Sequence, residues 1–148
     1  MRQYTIPQEE HGMDHRQQLD FTNQNNPFLA HCGIRAVELT DERAILTAQI
    51  RPELLNTSGT VHGGLMYTMA DGAVSMLARA DGSRYVTLDG SFQYLRNLSG
   101  PGELVANAQI VRRGQHISVI RVEITETTRQ KLLAIGTFTC CKADVPSE

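Results

Sequence analysis

The chain has 148 residues, carries 14 Lys and Arg against 16 Asp and Glu, and is 41% hydrophobic. That size buries one core rather than two, and that apolar content specifies a folded globule, not a disordered chain. A net charge of −2 leaves no electrostatic footprint for nucleic acid or an anionic membrane surface, and no apolar stretch approaches the roughly 20 residues that span a bilayer.

In chain order, residues 1–24 are polar and read as an N-terminal arm ahead of a single domain spanning 25–148. The opening residues lack the apolar run of a secretory signal, so a cytoplasmic location is expected. The 3 cysteines, Cys32, Cys140 and Cys141, are odd in number with two adjacent, which is no disulfide framework. His11 and His15 are spaced so that both can lie on one helical face, but no third ligand stands near them, and no metal is expected.

Asn26 before Pro27 predicts a capped helix start, and Gly33 keeps that helix short. Cys32 at its end reads as a small buried thiol, since nothing in the spacing specifies a Cys–His pair. The period then changes to two. Residues 34–40 and 43–51 form a strand pair across Asp41-Glu42, with Ala44, Leu46, Ala48 and Ile50 sharing one face. Pro52 ends the second strand.

The stretch from Asn56 to Asp71 reads as a polar, glycine-bearing loop that runs into the main helix. From Gly64 onward, Leu65, Met66, Met69, Ala70, Ala73, Val74 and Leu77 make the stripe of an amphipathic helix, and Asp81-Gly82 stops it. Gly63 and Gly64 at its start let a ligand approach free N–H groups, where the helix dipole favours a carbonyl oxygen or an anion. Asp71 departs from the stripe. At about 100° per residue it lies about 200° from Met69, beside Tyr67, Thr68 and Ser75. It is either a solvated helix carboxylate or one that faces a cleft made with a second subunit, and the pattern alone leaves both open.

Four more strands follow. Residues 84–96 place Val86, Leu88, Phe92 and Tyr94 on one face and Thr87, Asp89, Ser91 and Gln93 on the other, with a bulge expected at Gly90. Residues 104–113, 116–127 and 131–142 continue as strands joined by turns, and residues 143–148 form a polar tail. One long helix and an antiparallel meander with one apolar face predict an α+β fold, a sheet curled around a central helix.

Asn56 followed by Gly59, then His62-Gly63-Gly64, then Asp71 within the helix, resembles the hotdog-fold acyl-CoA thioesterases of the phenylacetate-degradation (PaaI-like) type. The acyl-CoA thioesterase thirteen group is similar in pattern. The resemblance covers roughly Phe28 to Lys142 and includes Val86-Thr87-Leu88-Asp89. It implies a hotdog fold and hydrolysis of an acyl-CoA thioester. It also implies that Asp71 is the catalytic carboxylate, as base or nucleophile, that Asn56 positions the nucleophile or thioester, and that the Gly63 N–H holds the carbonyl oxygen. His62 precedes Gly63 in the same wall, and Thr87 stands where relatives orient the attacking water with Ser or Thr. In the family the Asp comes from one subunit and the loop from its partner, so a homodimer is implied, with a homotetramer expected. Nothing in the family answers to the polar N-terminal extension.

Coenzyme A enters as part of the substrate, and no separate cofactor is expected. Arg96, Arg112 and Arg113 have the charge and geometry to meet its phosphates beside Gly64, although each can equally be a solvated charge. Partners other than acyl-CoA and a second copy of the chain, such as nucleic acid or a membrane, are not expected. The alternative function is a non-catalytic acyl-CoA-binding hotdog protein that keeps the pocket. Hydration of an enoyl thioester requires a different His/acidic motif, which the sequence lacks.

Overall fold

The computed structural model describes residues 12–143; His11 and the polar tail beyond Ala143 lie outside them. The chain begins with α1, His15–Asn25, whose capping box pairs the Asp14 carboxylate with the Gln17 N–H and the Gln17 side chain with the Asp14 N–H. Part of the stretch read from sequence as an arm is therefore a docked helix. Gln18 is buried and donates to the Arg79 carbonyl. Asn23 clasps Ala36, accepting its N–H at 2.8 Å and donating to its carbonyl at 2.9 Å. His15 pairs with Asp41, Nε2 to Oδ1 3.0 Å.

The second helix, α2, is Pro27–His31, with Asn26 accepting from the Leu29 N–H. Then come β1, Ile34–Leu39, and β2, Arg43–Gln49. The main helix, α3, is Gly63–Ala78, and a short 3-10 turn ends at Gly82 in a left-handed conformation, φ 81°. The remaining strands are β3, Tyr85–Tyr94, β4, Glu103–Arg113, β5, Ile117–Glu126, and β6, Lys131–Lys142.

These strands form one six-stranded antiparallel sheet in the order β1-β2-β4-β5-β6-β3. The simple meander expected from sequence is corrected here. β3 pairs with β6, and β4 returns to pair with β2, so the chain crosses the sheet between β3 and β4. The predicted helical stripe is buried, and Met76 and Ala78 join it. Its residues share one core with Leu46, Leu104, Ile120, Val122, Ile124, Leu133 and Phe138. Each large aliphatic side chain so enclosed contributes about 1.5–3 kcal/mol of transfer free energy, which holds α3 against the sheet. Cys32 is half-buried and packs against this core as a free thiol.

A second correction concerns β3. Its register shifts between Thr87 and Asp89, so the bulge falls at Leu88 and not at Gly90. The extra residue reverses the alternation beyond it. Thr87 consequently shares the helix-facing side with Phe92 and Tyr94, while Val86 lies opposite with Asp89, Ser91 and Gln93. Gly90 does something else. A Cβ there would sit 2.5 Å from the Tyr67 hydroxyl oxygen and 2.6 Å from Cε1 of Phe138, so only glycine admits both rings.

Polar anchors tie the ends of the elements. Arg113 donates to the Ala78 and Leu77 carbonyls, each at 2.9 Å, and so closes the C-terminal end of α3. Glu126, fully buried at the β5–β6 turn, accepts from the N–H groups of Thr128 at 3.0 Å and Arg129 at 2.8 Å. Burial pushes its carboxyl up, but those donors and the Arg129 guanidinium together outweigh it and hold the group below the usual carboxylate range.

Candidate active site

The loop before α3 is organised by Asn56. Its Oδ1 accepts from the N–H groups of Ser58 at 2.9 Å and Thr60 at 3.2 Å, and its Nδ2 donates to Thr60 Oγ1 at 2.9 Å. Gly59 closes the turn with φ 72°, a conformation that costs a residue with a side chain dearly, and donates to the Asn56 carbonyl. Asn56 therefore keeps one amide proton for anything outside its own loop.

His62 is the N-cap of α3. Its Nδ1 accepts the Gly64 N–H at 2.8 Å, which leaves the ring proton on Nε2 and occupies the Gly64 donor. The Gly63 N–H finds no acceptor among the described residues. The Gly63 carbonyl accepts from the Tyr94 hydroxyl at 3.0 Å. Burial, with the Tyr67 phenol beside it, pushes the Tyr94 hydroxyl up and keeps it a donor. The start of α3 thus presents one unused backbone donor, framed by an imidazole and a phenol.

Two turns further along, Asp71 is half-buried on the side of α3 that faces β3. The Thr87 hydroxyl donates to its Oδ1 at 2.8 Å. Thr87 reaches that oxygen because the bulge at Leu88 turns it toward the helix. Behind Thr87 lies Cys140, 1% exposed, with its Sγ 4.0 Å from Thr87 Oγ1. The single hydroxyl proton of Thr87 is spent on Asp71, so the thiol donates in that contact. Burial pushes the Cys140 thiol up and keeps the proton on sulfur.

Asp71 and Thr87 therefore meet within one chain, and so do Asn56, His62 and Gly63. The two groups do not meet each other. The eight steps from Gly63 to Asp71 span about 12 Å at 1.5 Å per residue, too far for both to touch one carbonyl group. Of the arginines singled out from sequence, Arg96 and Arg112 are exposed. Arg113 is turned inward by the bulge between Ile110 and Arg112 and donates to the carbonyls at the end of α3. Cys140 joins the site only through the β3–β6 pairing, and no local signal marks it; Tyr67 stands where the helical period places it, one turn before Asp71, and Tyr94 reaches Gly63 from β3. Among the described residues, no group of three or more His, Cys, Asp or Glu side chains could hold a metal ion, and no helix is long and apolar enough to cross a membrane.

Residues 58–132 match the profile of the Thioesterase superfamily. The chain is 27% identical over 108 residues to acyl-coenzyme A thioesterase 13 of Mus musculus, covering 72% of this chain and 77% of that protein. It is 25% identical over 112 residues to acyl-coenzyme A thioesterase PaaI of Escherichia coli K12, covering 76% and 79% respectively. The solved structure of E. coli PaaI superimposes with a TM-score of 0.82 over 88% of this chain and 94% of that one, at 24% identity in that alignment. A Streptococcus pneumoniae thioesterase protein solved with coenzyme A superimposes with a TM-score of 0.71 at 24% identity, over 77% of this chain and 88% of its own. These likenesses identify the sheet wrapped around α3 as the hotdog fold.

Proposed function

The chain belongs to the thioesterase superfamily, and from that premise we propose that it hydrolyses acyl-coenzyme A thioesters to a free acid and coenzyme A. The observation that carries the proposal is the Asp71–Thr87 pair: a helix carboxylate off the core stripe, aimed by a hydroxyl at 2.8 Å. A thioester carbonyl needs a carboxylate on one side and an oxyanion donor on the other. Asp71 supplies the first and the Gly63 N–H the second, and their separation along α3 requires that they come from two copies of the chain.

The sheet edge supports that assembly. β3 is the uncovered edge strand, and Val86, Leu88, Tyr94 and Leu95 are about half exposed along it, at 52%, 60%, 53% and 48%. Such an apolar edge is a template for pairing with another strand. A dimer joined there is the smallest catalytic unit, and a tetramer of two such dimers leaves the chemistry unchanged. The homologues named as acyl-CoA thioesterases and the coenzyme A in the S. pneumoniae neighbour support coenzyme A as the carrier. Arg96 and Arg112 are exposed and suited to its phosphates.

In the reaction, Asp71 as general base takes one proton from a water whose oxygen attacks the carbonyl carbon. The negative charge moves to the carbonyl oxygen, against the partner copy's Gly63 N–H. The tetrahedral intermediate then collapses, the C–S bond breaks, and the sulfur leaves as thiolate and takes up a proton. If Asp71 attacks directly, an acyl anhydride forms first and water cleaves it, with the same products. Asn56 holds the loop that carries Gly63, and His62 fixes the first turn of α3. Water and these side chains suffice for the reaction as written.

The test is Asp71→Asn with a panel of acyl-CoA esters, scored by free thiol. Turnover should fall by orders of magnitude while circular dichroism and oligomeric state stay unchanged. Undiminished thiol release would end the assignment. Acyl-CoA binding without thiol release by the unaltered protein would favour a carrier over an enzyme.

A further inference from the structure

Asp71 has two unlike sides along α3. Toward the C-terminal end lie Ser75 and a polar cluster in which Tyr85 donates to Asp81 at 3.0 Å and Lys142 stands 3.8 Å from the same carboxylate. Toward the N-terminal end lies Tyr67, one turn away and 37% exposed. Its ring packs edge-on against Phe92, centroids 5.3 Å apart, and lies tilted against Phe138 at 5.4 Å. Tyr94 extends the group, its centroid 5.0 Å from that of Phe92. An apolar acyl group belongs on this aromatic side, and the polar carrier on the other.

The aromatic side is closed off by Tyr67. Its phenol oxygen lies 2.5 Å from where a Cβ on Gly90 would be, so the side chain spans the space between α3 and β3. Gly136 on β6 serves the neighbouring ring in the same way, since a Cβ there would sit 2.6 Å from Phe92 Cδ2. Two glycines on paired strands thus let the rings lie down on the sheet and fill the space beside Asp71. Met66 and Met69, the neighbouring apolar side chains of α3, are 3% and 0% exposed and belong to the core. One helical turn, about 5.4 Å, separates Tyr67 from Asp71 along α3, so the ring stands directly beside the carboxylate on its N-terminal side.

We propose that Tyr67 is the specificity-determining wall of the site, limiting it to short or single-ring acyl thioesters and turning away long aliphatic ones. This rests on the thioesterase reading given above. The wall acts by shape, with Gly90 as its seat, so removal of the hydroxyl alone leaves the preference in place.

The experiment compares kcat/KM for acetyl-, butyryl-, benzoyl- and decanoyl-CoA in the unaltered protein, Tyr67→Phe and Tyr67→Ala, with Asp71→Asn as the reaction control. The unaltered protein and Tyr67→Phe should rank decanoyl-CoA last. Tyr67→Ala should raise decanoyl relative to butyryl by roughly 10- to 200-fold, the range that a pocket change of a methylene or more commands. Should Tyr67→Ala not fold, Tyr67→Leu carries the same test with a smaller shift in the same direction. A ranking unchanged in the truncated variants overturns the wall, as does an unaltered protein that already prefers decanoyl-CoA. In either case, loss of all turnover in Asp71→Asn would leave the hydrolase reading standing, so the two failures are separable.

Discussion

The Asp71–Thr87 hydrogen bond yields a measurable consequence. Thr87→Val keeps the β-branched shape that suits β3 and removes only the donor. The lost bond runs from a hydroxyl to an ionised oxygen at 2.8 Å. Bonds to charged groups contribute about 1.5–3 kcal/mol net, and because Thr87 is exposed the lower part of that range applies, about 1.5–2 kcal/mol. If that orientation is needed in the transition state, kcat falls about 10- to 30-fold at about 1.4 kcal/mol per decade. The KM should change less, since Thr87 aims a carboxylate and does not hold the substrate. Thiol release over a range of acyl-CoA concentrations separates the two parameters, and Thr87→Ser should retain most of the rate. In an Asp71→Asn background, Thr87→Val should cost little more, because the partner it orients has already lost its charge. A kcat for Thr87→Val within about twofold of the unaltered enzyme would show that the aim of Asp71 is set by something else.

Two further outcomes concern stability. His62→Ala removes the acceptor for the Gly64 N–H and should lower stability by about 1 kcal/mol, read as a shift in the urea midpoint; an unmoved midpoint would mean that water caps α3 equally well. Glu126 has its folded-state carboxyl depressed, so its stabilising contribution is present above the unfolded value and is lost as pH falls through the folded one. Glu126→Gln should therefore melt at a lower temperature near neutrality and lose less on acidification below about pH 4; parallel curves of melting temperature against pH would contradict the role assigned to that carboxylate.

Much of the fold is legible in the residues because its periodic signals are local. The stripe from Leu65 to Leu77 needs only the pitch of a helix, and Ala44-Leu46-Ala48 only the alternation of a strand. The order of strands is not local. Nothing near Phe92 announces that Gly136 will lie across from it, so β3 reads as the first strand of a meander when it pairs with the last. The bulge at Leu88 was equally hidden, because Gly90 offers the stronger signal and owes its conservation of space to Tyr67 and Phe138 instead. At the site, the Asn56-to-Asp71 motif names the participants, but the hydrogen bond that joins Asp71 to Thr87 across 16 positions depends on that bulge. The bonds of Arg113 to the carbonyls at the end of α3 were equally out of reach, since they depend on a second bulge, in β4.

Asn23 clasps the backbone of Ala36 from α1 as a neighbouring strand would. The free edge of β1 is thereby occupied at its middle, where a further strand would have to displace α1, and no such contact stands on the edge of β3 among the described residues. An obstacle on one edge and none on the other favours association that stops at a pair over strand-by-strand growth into a fibre.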